Sequence, residues 1–65
     1  MNKAEIFKLF LKDMQQPAIQ MALHRSFRLY ADRRDQLIDI YTAKTGIPAE
    51  EFHSQIAREN AGFLA

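Results

Sequence analysis

With no cysteine among its 65 residues, this chain must draw any chemistry from charged, imidazole and hydroxyl side chains. The densest group lies between positions 24 and 34: His24, Arg25, Arg28, Arg33 and Arg34. Such a cluster suits an anionic partner, either an acidic protein face or a nucleic-acid backbone, with Tyr30 beside it as a stacking surface. Asp32, Asp35 and Asp39 interleave with these cations, which favours a solvated helix face over a dedicated phosphate track. The two histidines, His24 and His53, are 29 positions apart. Neither forms a typical metal-binding pair at helical spacing, and His53 beside Glu50 is a half-site only. Ser26 and Ser54 have no base near them in sequence, and no glycine-rich loop is present to cradle a phosphate. A short helical chain also has little volume from which to exclude water around a reaction. The sequence therefore predicts a protein that is not an enzyme and carries no metal or cofactor.

One supersecondary pattern stands out. Leu37 to Ile56 reads as helix, Thr-Gly-Ile-Pro turn, helix, and resembles the DNA-binding helix-turn-helix, whose second helix enters the major groove. The second helix here would begin Ala49-Glu50-Glu51, presenting two carboxylates where bases and phosphates approach, with Arg58 as its one cation. The same stretch resembles the helix-turn-helix handle of Clp-type serine proteases. No nucleophile elbow or oxyanion loop accompanies it, so that resemblance implies no activity. A nucleic-acid-binding regulator, using residues 37–56 or the basic cluster at 24–34, is the alternative reading of function.

The elements that must position these residues follow from hydrophobic spacing. Between Pro17 and Gly46 there is no glycine or proline, and Ile19, Leu23, Phe27, Tyr30, Leu37 and Tyr41 recur at helical intervals on one face. The pattern predicts one long helix, opened by Pro17 in the first turn and closed by Gly46, with Ile47 folding back near Tyr41. It would be about 43 Å long. A compact chain of this length spans about 28 Å, so part of the stripe should meet a second copy. A competing reading breaks the helix at Asp32-Arg33-Arg34-Asp35, where Asp32 can cap a new start. Arg34 falls within the apolar stripe, which predicts an interface arginine paired with a carboxylate such as Asp13 or Glu59.

Two shorter helices flank this one. Asn2 caps an amphipathic segment carrying Ile6, Phe7, Phe10, Leu11 and Met14, and Gln15-Gln16 turns it back so that Phe7 and Phe10 reach Leu23 and Phe27. Lys8 and Lys12 interrupt its apolar run, unlike a signal peptide, and it is too short for a membrane span. Pro48 starts the last helix, with Ala49, Phe52, Ile56 and Phe63 on one face, weakening at Asn60-Ala61-Gly62; Phe63-Leu64 is expected to tuck onto the core.

Residues 1–34 carry a charge of +4 and residues 35–65 a charge of −3. That asymmetry suits antiparallel self-pairing. A chain this short is marginal alone, and without disulfides it is expected to gain support from a partner. The reading is thus an all-α single domain over 1–65, three helices short, long, short, forming a cytoplasmic homodimer through the long helix. The expected oligomer interface is Leu23, Phe27, Tyr30, Arg34, Leu37 and Tyr41. The surface offered to a further protein partner is Arg25, Arg28 and Arg33, and the function is non-catalytic binding or regulation.

Overall fold

The computed structural model describes the backbone of residues 1–64 and the side chains of residues 1–60. Four helices follow in order: α1 Lys3–Asp13, α2 Pro17–Arg25, α3 Phe27–Thr45 and α4 Ala49–Leu64. There is no strand among the described residues. The expected three-helix arrangement is therefore corrected to four, because the long central helix is interrupted. The break lies at Ser26, and Asp32 to Asp35 sit inside unbroken α3.

Ser26 is a one-residue joint. Its backbone is extended (φ −164°, ψ 130°). Its N–H donates to the carbonyl of Ala22 at 2.9 Å, closing α2, while its own carbonyl accepts from Tyr30 N–H at 3.0 Å, opening α3. The joint lets α2 fold back along α3. Ile19 and Ile38 then enter one buried cluster with Phe10, Met14, Ile47 and Phe52. In a continuous helix these two isoleucines would be about 28 Å apart. A straight helix over 17–45 would also exceed the longest dimension of the molecule, 33 Å. Breaking the helix gives up few backbone hydrogen bonds and buries Ile19 and Ala22, which an isolated arm would leave in water.

The remaining joints use local chemistry. Asn2 Oδ1 accepts from Glu5 N–H at 2.9 Å to cap α1. Between α1 and α2, Gln20 Nε2 donates to the carbonyl of Met14 at 2.9 Å, tying the short link to the next helix. Gly46 ends α3 in the left-handed region (φ 77°), where a side chain would be strained. Thr45 Oγ1 donates to Tyr41 O and accepts from Ile47 N–H, turning buried Ile47 onto the core. α4 continues through Asn60-Ala61-Gly62. The expected docking of the Phe63 and Leu64 side chains lies outside the described residues.

The core is aromatic at its centre. Phe10 and Phe52 have ring centroids 4.8 Å apart, and Tyr41 packs edge-on to both at 5.3 and 5.7 Å. Phe7 meets Phe52 edge-on at 5.5 Å. Phe7 and Phe10 were expected against Leu23 and Phe27. The turn at Ser26 removes those two from reach, and α1 packs on α4 and α3 through Phe52 and Tyr41.

Candidate interaction surface

Thr42 Oγ1 is buried without a hydrogen-bond partner among the described residues, whereas the other hydroxyl and titratable groups are engaged or lie apart in solvent. Ser54 Oγ donates to its own helix at Glu50 O. His53 Nε2 is 3.9 Å from Asp35 Oδ1, across the α3–α4 packing. Among the described residues no three His, Cys, Asp or Glu side chains converge as metal ligands. No polar or charged residue is buried as a whole among them.

Tyr41 has a displaced titration. Burial, then the hydrogen bond its hydroxyl donates to Asp13, then the charge of that carboxylate, push its pKa from the ordinary 10 up to about 12. The phenol stays neutral longer in the folded chain than in the unfolded one. Its contribution to stability is therefore complete below pH 10 and declines as pH climbs from 10 to about 12. Urea midpoints at pH 9 and pH 11 should show a larger alkaline loss for the native chain than for Tyr41→Phe. Equal losses would mean that neither burial nor Asp13 raises the Tyr41 pKa in solution.

The helix-turn-helix candidate is formed by the end of α3, the turn at Gly46 and α4. The exposed positions of α4 among the described residues are Glu50, His53, Ser54, Ala57, Arg58, Glu59 and Asn60, while Phe52 is buried. Glu51, also at this end, pairs with Lys3 at 2.7 Å. The face that would meet a groove thus opens with a carboxylate.

Arg25, Arg28 and Arg33 are all exposed, but they do not form one patch. Arg25 and Arg33 line the same depression between α2 and α3, together with Ala18, Met21, Ala22 and Leu29. Arg28 lies about 140° around α3 from Arg33. No model of a protein family, no curated protein and no solved structure matches this chain.

The six residues expected at an oligomer interface divide in two. Leu37, Tyr41 and Tyr30 pack against the chain's own core. Arg34 has its partners within the chain: Nε donates to Asp35 Oδ1 at 3.0 Å, and the guanidinium carbon lies 5.9 Å from the Tyr30 ring centroid. Leu23 and Phe27 are left exposed beside the joint, with Phe27 stacked obliquely on Tyr30 at 5.8 Å.

Among the described residues four further large apolar side chains are exposed, those of Met1, Leu9, Met21 and Ile40, which hydrophobic spacing alone does not single out. The signal was present: Leu9 and Met21 fall off the apolar stripes of their helices, and Ile40 sits at the edge of one. Such outliers acquire meaning only when the fold places them side by side. Met1, Leu9 and Ile40 do line one depression, of about 270 Å³, with Ile6, Leu37 and Lys44 among its other residues.

Proposed function

We propose that this chain is a small non-catalytic binding protein that self-associates and offers a helical surface to a macromolecular partner. The observation that carries the reading is the exposure of Phe27, 68 %, and Leu23, 45 %, in a chain with only seven buried hydrophobic side chains among its described residues. Phe27 lies in the same angular direction on α3 as buried Ile38, so the core stripe continues past the point where the chain's own helices cover it. A large aromatic left in water at the end of a core stripe is suited to a second copy of itself, and the neighbouring Arg34 has its charge partnered already. Self-association would run through the Ser26 corner rather than through a continuous long helix. The mechanism is occupancy: two copies hold their exposed helix faces in a fixed relation and block or bridge a partner.

Sedimentation across a concentration series tests this. The native chain should sediment as a dimer, and Phe27→Asp as a monomer with an unchanged far-UV circular dichroism spectrum. A native chain that stays monomeric throughout, or a Phe27→Asp chain with the native mass, overturns self-association at this corner.

A further inference from the structure

A second surface lies on the other side of α3. Three depressions run along it and share residues: Leu37 and Ile40 join the first to the second, and Ala18 and Arg33 join the second to the third. The resulting groove is flanked by α1 at one end and α2 at the other. Its apolar lining includes Leu9, Leu29, Leu37, Ile40 and Met21, with Ile40 50 % and Met21 59 % exposed. Arg25, Arg33 and Lys44 are its cations, and none of the three forms an ion pair among the described residues. Its one carboxylate, Asp13, accepts a hydrogen bond from the Tyr41 hydroxyl.

We propose that this groove docks an acidic amphipathic helix of a protein partner. From Leu29 to Lys44 the groove follows α3 for about 22 Å, the length of about four helical turns. An apolar lining interleaved with cations can receive one face of a helix, read as anchors at i, i+3, i+4 and i+7. Three free cations select a partner whose flanking positions are Glu or Asp. A second copy of the chain is a poor occupant, since a two-fold contact sets the same patch against itself and opposes three cations to three cations. A bilayer fits less well, because the apolar residues line depressions between helices instead of a crest.

The inference rests on the reading of the chain as a binding protein, and a single titration separates the two. A fluorescent helix-favouring peptide of about 15 residues, with leucines at i, i+3, i+7 and i+10 and glutamates flanking them, is titrated with the full chain and followed by anisotropy. The same peptide with lysine for glutamate, and vesicles containing phosphatidylserine, are the comparison ligands. The glutamate peptide should bind at least about tenfold more tightly than the lysine peptide. Arg33→Glu should weaken the glutamate peptide by about tenfold or more and favour the lysine peptide. Ile40→Asp should abolish binding, and Phe27→Asp should leave it unchanged. Circular dichroism checks that the exposed substitutions leave the helices intact. Equal affinity for both peptides, binding of neither, or binding lost with Phe27→Asp and kept with Ile40→Asp overturns the assignment. Vesicle binding that Ile40→Asp abolishes overturns it in favour of lipid. A dimer that ignores the peptides defeats this inference alone; a monomer that binds the glutamate peptide defeats self-association alone.

Discussion

Phe52→Ala should strip the chain of about a third or more of its folding stability. Phe52 is fully buried, and its ring is held by Phe7, Phe10 and Tyr41, which arrive from α1 and α3. Truncating a buried phenylalanine to alanine costs about 3–5 kcal/mol, part of it for the cavity left behind. At about 0.05–0.15 kcal/mol per residue, a chain of this length has roughly 3–10 kcal/mol in all. The cavity cannot close by collapse of one neighbour, because Phe52 is where α1, α3 and α4 meet. Thermal and urea unfolding followed by far-UV circular dichroism measure the effect. Phe27→Ala deletes the same atoms from an exposed site and, measured at concentrations where the chain is monomeric, should shift stability by no more than about 0.5 kcal/mol. Comparable losses at the two positions would place the core elsewhere.

Where local chemistry decides an element, the sequence displays it. The Asn2 cap with Glu5 behind it, the Gly46 stop and the Pro48 start are all readable, because each is settled within four residues. The joint at Ser26 is of another kind. Its hydroxyl makes no capping hydrogen bond, and α3 has no acidic residue in its first turn. Serine is a common N-cap, and His24 and Arg25 suit the end of a helix, so faint signals exist. They were outweighed by an apolar stripe that keeps its direction through position 26. Burial of Ile19 beside residues from three other helices decides the break, and no window of sequence contains that information.

The same limit applies to the surface. Arg25, Arg28 and Arg33 look like one cluster in sequence, yet Arg28 belongs to a different side of α3. Arg25 meets Arg33 across a depression only because α2 has turned around. In a similar way Leu9 and Ile40 come from helices separated by α2 and share a depression through tertiary packing. Charge and apolar content were legible residue by residue, whereas their combination into a groove depends on the fold-back.

That dependence makes the pair Ile19 and Ile38 the sharpest test of the fold. Ile19→Ala should destabilise the chain by about 2–5 kcal/mol, the range for removing a buried isoleucine side chain down to Cβ. On a continuous helix Ile19 would stand on an arm about 28 Å from Ile38, and its truncation would cost little. Milder substitutions keep the chain folded for a coupling measurement. Ile19→Val and Ile38→Val should each cost about 0.5–1.5 kcal/mol. Because both side chains belong to one buried cluster, the double variant should depart from the sum of the single ones by about 0.5 kcal/mol or more. Additivity within the error of urea unfolding would mean that α2 does not lie against α3. The shared depression would then be lost as well, since Arg25 and Arg33 would stand about 12 Å apart along one helix axis. The cycle therefore reports on the groove as well as on the core, without any ligand present.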